Sequence, residues 1–269
     1  MRVQVLCATV GQTDFSLVDA MNIQTDVIFA NQNGQNRTEE RAFGNFRAKM
    51  VSTDTRGVGI NRNLALMYAD ADICLLSDDD VRYVDGYAQI IAQAFAENPS
   101  ADALIFNLYH DEAFFKIKKK FRVRWYNFMR FATYRVAVRR NPVKTRGILF
   151  NTSFGGGCAY QSGEDTLFLR DCLRKKLKII ALPICIAEMK QERPSTWFRG
   201  YDEKFLYDKG AVCAAISGRF APLLCLRLLL VKKQILQNAK LSFFAAYAIM
   251  KNGMRGYFAG RTFDEFRGA

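Results

Sequence analysis

Residues 72–80 read Asp72-Ile73-Cys74-Leu75-Leu76-Ser77-Asp78-Asp79-Asp80. The apolar run from Ile73 to Leu76 predicts a buried strand. It passes directly into a serine and three adjacent carboxylates. In an open α/β sheet ligands bind at the carboxyl ends of strands, and the three aspartates sit at such an end.

The neighbouring segments supply the rest of the sheet. Upstream, Val3 to Thr9 is a short apolar and β-branched run that stops before Gly11, a first strand. Asp14 to Met21 follows as a helix with Asp14 as its cap. Asp26 to Ala30 is a second strand, ending in the turn-rich loop Asn31-Gln32-Asn33-Gly34-Gln35-Asn36. Asn61 to Ala69 has helical spacing, with Ile60, Leu64 and Met67 on one side. Downstream, Tyr87 to Phe95 is helical and Ala103 to Leu108 is a strand. Gly147 to Asn151 reads as a strand, followed by the loop Gly155-Gly156-Gly157. Gly163-Glu164-Asp165 opens a helix that reaches Lys175, and Lys178 to Leu182 is a strand ended by Pro183. Alternating strands and helices predict an α/β fold with parallel pairing. From Tyr201 to Met250 the chain reads as helical. The predicted organisation is a catalytic domain over 1–190, interrupted by a basic aromatic insertion at 111–146, and a helical extension over 191–269.

Composition narrows the chemistry. The 269 residues are half hydrophobic, enough for a sizeable core and unlike a disordered chain. The seven cysteines form no CxxC pair and mostly sit in apolar runs, so they read as reduced core residues and point to the cytoplasm. His110 is the only histidine, which excludes histidine-pair catalysis and histidine-rich metal sites. A general base must then be a carboxylate or another group, and a metal site must be oxygen-rich, suited to Mg2+ or Mn2+. The most apolar window, Pro222 to Val231, holds 10 residues and is interrupted by Arg227, short of the about 20 needed to cross a bilayer. The N-terminus reads as a strand and not as a signal peptide.

Three adjacent carboxylates repel one another, and a bound cation relieves that repulsion. An exposed acidic turn capping the next helix explains the run alone equally well. A second acidic pair, Glu164-Asp165, follows the glycine-rich loop at a predicted helix start. There the backbone dipole stabilises an anion, whether as a cap or as a base held near phosphate.

Three blocks in order carry a resemblance. They are Gly59-Ile60-Asn61-Arg62-Asn63-Leu64-Ala65, the strand and acidic run Ile73 to Asp80, and Gly155 to Leu177 with its Glu-Asp pair. Together they resemble the family 2 glycosyltransferases of the GT-A fold over about residues 1–190. The resemblance implies an inverting, metal-dependent transfer of one sugar from a nucleotide-diphosphate sugar, a UDP-sugar by preference. It implies that Thr9, Asn31 and Gln32 line the nucleotide pocket, although the family often carries Asp where this chain has Asn31. Arg56, Asn61, Arg62, Asp78 and Gly156 would approach nucleotide and diphosphate, and Asp79 and Asp80 would hold Mn2+ or Mg2+. Asp165 matches the family's catalytic base, with Glu164 beside it. The QxxRW motif of processive synthases is missing, since Gln191-Glu192-Arg193-Pro194 and Ser195-Thr196-Trp197 are not equivalent to it. That favours one sugar per encounter.

The net charge is +13, and residues 116–146 hold twelve Lys or Arg and no Asp or Glu. Such asymmetry points to a polyanionic partner. Nucleic acid, an anionic membrane, and a solvated basic face over core aromatics all explain it. The leucines from Leu223 to Leu230, with Arg227, Lys232 and Lys233, suit an interfacial helix or a helix packed on the catalytic domain. Together with this charge, the resemblance implies a lipid-diphosphate-linked or oligosaccharide acceptor in bacterial surface polysaccharide assembly, with peripheral contact at the inner membrane face. A basic nucleic-acid-binding protein without transferase activity is the rival. A phosphohydrolase of the haloacid-dehalogenase type would need an Asp after the first strand, where Thr9 and Gly11 stand.

Overall fold

The computed structural model describes residues 1–110, 115–190 and 200–268. In chain order the first half contains β1 (Val3–Val10), α1 (Leu17–Ala20), β2 (Val27–Gln32), β3 (Arg37–Phe43) and β4 (Phe46–Thr53). It continues with α2 (Val58–Tyr68), β5 (Ile73–Asp78), β6 (Val81–Tyr83), α3 (Tyr87–Glu97) and β7 (Ala103–Tyr109). Then come β8 (Phe121–Arg122), β9 (Val136–Arg139), α4 (Arg140–Thr145), α5 (Glu164–Arg174) and β10 (Ile179–Met189). The C-terminal part is helical: α6 (Glu203–Ser217), α7 (Ala221–Val231), α8 (Lys233–Ala239), α9 (Phe243–Ala259) and α10 (Phe263–Arg267).

All ten strands join one sheet in the order β3-β4-β2-β1-β5-β9-β7-β10-β6, with β8 on β10. The strand that begins at Ile73 lies at its centre and is buried on both faces. Ile73 and Leu75 enter one core with Phe29, Ile91, Phe95 and Phe106, whereas Cys74 and Leu76 enter the opposite one with Leu6, Ile105 and Phe168. Side-chain alternation along a strand produces this division.

The sheet is mixed where parallel pairing was expected. β4, β2, β1 and β5 run parallel, but β9 inserts antiparallel between β5 and β7. This strand comes from the basic stretch, whose Val136 and Val138 are fully buried. The β3–β4 hairpin was not foreseen, because β3 (Arg-Thr-Glu-Glu-Arg-Ala-Phe) is a mostly exposed polar edge strand held by pairing with β4. Residues 147–151 form no strand. The main chain of Phe150 pairs instead with the Asn63 side chain, in both directions, at 2.7 and 2.9 Å. Pro183 does not end its strand either: β10 continues to Met189, with a register shift between Ala181 and Cys185 that accommodates the missing N–H.

Two further corrections bear on function. The buried residues of α2 are Gly59, Asn61, Arg62 and Ala65; Leu64 packs half-buried against the core, and Met67 is 76 % exposed. The apolar tail is also longer than its leucine run. Glu203–Val231 forms a helical stretch of 29 residues containing a window with mean hydropathy 1.7, long and apolar enough to cross a membrane by length and composition. Gly218, at φ 53°, breaks its direction between α6 and α7. Leu206, Tyr207 and Asp208 of α6 are buried within the protein.

The helical part has its own core, in which Leu206, Cys225, Leu229 and Met250 meet. Here α6 and α9 approach backbone to backbone. A Cβ on Gly210 would overlap the carbonyl of Met250, and one on Gly253 would overlap that of Tyr207. This unit also reaches the sheet domain: the Val212 methyls of α6 lie against Gly163, the residue before α5.

Candidate active site

The parallel register of β1 and β5 pairs Ala8 with Asp78. Both strands therefore end at the same edge, and the next residues meet there: the Thr9 hydroxyl donates to Asp79 Oδ2 at 2.6 Å. Two glycines aim the surrounding helices at this edge. Gly57, at φ 110°, starts α2, and Gly163, at φ 118°, starts α5. α5 begins with Glu164 and Asp165, two anions in the first turn, where the helix dipole favours negative charge.

Arg62, on the inward face of α2, ties the two acidic segments together. Its side chain is 5 % exposed and ion-pairs with Asp78 Oδ1 at 2.7 Å, Asp165 Oδ1 at 2.7 Å and Glu164 Oε1 at 3.4 Å. The guanidinium also lies 5.3 Å from the Phe150 ring centre. Burial opposes its charge, but Asp78, Asp165 and Glu164 outweigh that and hold it firmly protonated. Asp165 has a second donor in the Thr133 hydroxyl. Glu164 is mostly buried. Desolvation first, and then the charge of Asp165, push its carboxyl up to about 7 against the opposing pull of Arg62.

At the other end of the cluster charge is left over. Among the described residues neither Asp79 nor Asp80 has an ion-pair partner. Asp80 is surface-exposed, yet desolvation where the carboxyl meets the chain, and then the charges of Asp78 and Asp79, push it up to about 6. Three carboxylates thus share one guanidinium, and two more beside them go without. Among the described residues no three His, Cys, Asp or Glu side chains converge as a ready-made metal cage.

The remaining sequence-selected residues divide by exposure. Asn61 is buried and donates to the Thr9 carbonyl at 3.0 Å, while its own Oδ1 is buried without a partner. Asn31 is fully buried; it clasps the Gln12 main chain at 3.0 and 2.8 Å and donates to Ser52 Oγ at 3.1 Å. It therefore fixes the loop after β1. Gln32 donates to the Gly57 carbonyl at 3.2 Å, and Arg56 is exposed beside it. Gly156 is buried and accepts from the Val58 amide at 2.9 Å, which links the glycine loop to the start of α2. Gly155 has Val58 and Glu164 where a side chain would stand.

Sequence reasoning missed Thr133 and Phe150. Neither has a motif, and both reach the cluster through tertiary packing. The basic stretch divides: the four lysines of 116–120 and Arg122, Arg124, Arg130 and Lys144 are exposed, and four arginines bond to the protein itself. Arg135, Arg139, Arg140 and Arg146 spend their guanidinium groups on main-chain carbonyls of Phe106, Ala101, Ala71 and Lys175. Phe128, Phe131 and Tyr134 are buried, leaving Trp125 and Tyr126 outside. The motif segment 191–197 lies outside the described residues.

Comparison with known proteins gives a family and a fold. Residues 9–152 match the model of glycosyl transferase family 2. A search of curated proteins returns no match. Among solved structures, S. aureus TarS 1-349 in complex with UDP-GlcNAc superposes with a TM-score of 0.61 at 13 % identity, covering 98 % of this chain and 93 % of that one. The same TarS segment in complex with UDP gives 0.54 at 15 % identity, covering 96 % and 72 %. At these identities the likeness concerns the fold. The family match spans more than half of the 269 residues and includes Arg62 and the whole acidic run, and on that ground the chain belongs to glycosyl transferase family 2.

Proposed function

We propose that this protein is an inverting glycosyltransferase that moves one sugar from a UDP-sugar to a lipid-diphosphate-linked glycan, in bacterial surface polysaccharide synthesis at the cytoplasmic face of the membrane. The observation that carries the reading is Arg62, which brings the strand-end aspartates and the Glu164-Asp165 pair into one cluster. A donor diphosphate and an acceptor hydroxyl need groups of these two kinds side by side. The complexes of TarS with UDP-GlcNAc and UDP support the choice of donor.

Asp165 is the proposed base. Its Oδ1 is held by Arg62 and Thr133, which leaves Oδ2 to take the proton of the acceptor hydroxyl. The acceptor oxygen attacks the anomeric carbon, and the bond to the diphosphate breaks with its electron pair leaving on the nucleotide. One displacement inverts the centre. The fixed donors on Asp165 cost no reorganisation when the proton moves. Glu164, with its carboxyl near 7, is a second candidate for the same proton.

The cluster fits a divalent cation. Asp79 and Asp80 are oxygen donors without ion-pair partners, and Mg2+ or Mn2+ takes one or two carboxylates and completes its shell with water and phosphate. When bound there, it would supply positive charge against the departing diphosphate. The rival reading of a nucleic-acid-binding protein without transferase activity loses support from the match to glycosyl transferase family 2.

The test is a thermal-shift series with UDP, UDP-sugars and other nucleotides, each with and without Mn2+. Metal-dependent stabilisation by a uridine nucleotide is expected, of about 2.7 kcal/mol at a hundredfold excess over Kd. Absence of stabilisation by every nucleotide would overturn the reading.

A further inference from the structure

We infer that the outer face of α7 is a docking surface for an anionic lipid bilayer. The inference gives the proposed membrane-side function a specific face. It rests on that reading only for the purpose of docking, not for the contact itself.

α7 is apolar on two opposite sides. Ala221, Cys225 and Leu229 recur every four residues and are buried against the helical core. Leu223, Leu226 and Leu230 form a second stripe, spaced three and four residues apart, and it faces outward. Leu223 is 64 % exposed and Leu230 57 %. Phe220 and Val231 extend the stripe at its ends. Large apolar residues scattered singly need no explanation, but here they are concentrated on one helix.

The charge around them selects the partner. From residue 209 to 263 the chain has nine Lys or Arg and no Asp or Glu. Arg219, Arg227, Lys232, Lys233 and Lys240 are exposed on or beside α7 and α8. Arg227 lies within the leucine stripe itself, where a long cationic side chain can bury its stem and keep its head at the phosphate level. An apolar stripe with cations and no acid nearby matches an anionic lipid interface. A second copy of this chain would bring the same cations face to face.

The position of this face gives it a use. α7 packs on α6, and α6 touches the loop that leads into the Glu164-Asp165 pair. Gln161 N donates to Asp208 Oδ2 at 3.0 Å, and Lys209 Nζ donates to Ser162 Oγ at 3.1 Å. One helix therefore separates the docking stripe from the loop before the proposed base. Seating α7 on a bilayer holds the acceptor side of the site near the surface where a lipid-borne acceptor resides.

Co-sedimentation of the full chain with vesicles tests this, using phosphatidylglycerol mixed with phosphatidylcholine against phosphatidylcholine alone, at low and high salt and without nucleotide. The wild type should sediment with the anionic vesicles and be released by salt. Arg227→Glu with Lys232→Glu and Lys233→Glu should lower partitioning on the order of a hundredfold, at about fivefold per cation. Leu223→Gln with Leu226→Gln and Leu230→Gln should also lose binding. Both triple variants should keep the wild-type melting temperature and nucleotide-induced shift, which establishes that they fold. No sedimentation of wild type with anionic vesicles would overturn the inference, as would undiminished sedimentation of both variants. A concentration-dependent dimer broken by the leucine variant, without vesicle binding, would assign the face to a second copy instead. Failure of the donor reading would appear separately, as a missing nucleotide shift with vesicle binding intact.

Discussion

Arg62→Met removes the positive charge at the centre of the site while retaining most of its apolar stem, and its cost should depend on pH. Breaking a buried ion pair from one side typically costs about 3–5 kcal/mol, because the partner is left buried and charged. Arg62 has three such partners, so the upper part of that range applies near pH 8. The sign with pH follows from Glu164. Its carboxyl is raised from an ordinary 4.5 to about 7 by folding, so the folded chain holds a proton that the unfolded chain releases. Below 4.5 this group costs nothing; between 4.5 and 7 its penalty grows, reaching about 3 kcal/mol at about 1.4 kcal/mol per unit. Arg62 limits that penalty by favouring the anion. Without it Glu164 rises further, and each added unit deepens the deficit at pH 8 by about 1.4 kcal/mol. At pH 5 Glu164 is protonated in the folded state of both proteins. The deficit then shrinks toward the loss of the Asp78 and Asp165 pairs and the contact with Phe150, the latter about 0.5–2 kcal/mol. Urea unfolding of wild type and variant at pH 5 and pH 8 measures the difference. A destabilisation equal at the two pH values would refute the coupling of Arg62 to Glu164.

Three further outcomes follow from the same geometry. Asp165→Asn should retain nucleotide binding and abolish transfer, whereas Glu164→Gln should leave measurable transfer but remove any activity transition near pH 7; the opposite pattern in a pH-rate profile would exchange the two roles. Thr133→Val, which removes a fully buried hydroxyl from Asp165, should cost roughly 1.5–3 kcal/mol in a denaturation curve and lower kcat with little change in donor KM; an unchanged curve would mean that Asp165 does not depend on this donor. Gly253→Ala should destabilise by at least about 1–3 kcal/mol, since its Cβ has no room beside the Tyr207 carbonyl, and a wild-type melting temperature would show that α6 and α9 can separate freely.

The sheet was legible where burial wrote a one-dimensional pattern. Ile73 to Leu76 has to be buried on both faces, and the cores on either side of β5 account for each residue in it. The hairpin of β3 and β4 left no such mark, because an exposed edge strand is maintained by its partner's main chain and not by its own apolar residues. The same distinction separates Arg62 from Met67. Helical spacing favours the apolar residues of α2 for the inward face, yet the helix turns Asn61 and Arg62 inward and leaves Met67 in water. Burying a guanidinium is unfavourable unless carboxylates meet it, and those carboxylates lie 16 and more than 100 positions away in sequence. No local pattern contains that information. The orientation of α2 is thus a consequence of the acidic cluster, and the cluster in turn is sustained by the helix. This mutual dependence also explains the basic stretch. Its charge suggested one external polyanion, and the stretch divides: four of its arginines bond to internal carbonyls that would otherwise be costly to leave unpaired, while the four lysines of 116–120 and Arg122, Arg124, Arg130 and Lys144 stand exposed. The exposed cations of residues 209–263 differ in standing around an apolar stripe on α7 that the fold leaves uncovered. Charge counted along the chain cannot separate these two uses; the hydrogen-bond partners of each cation do.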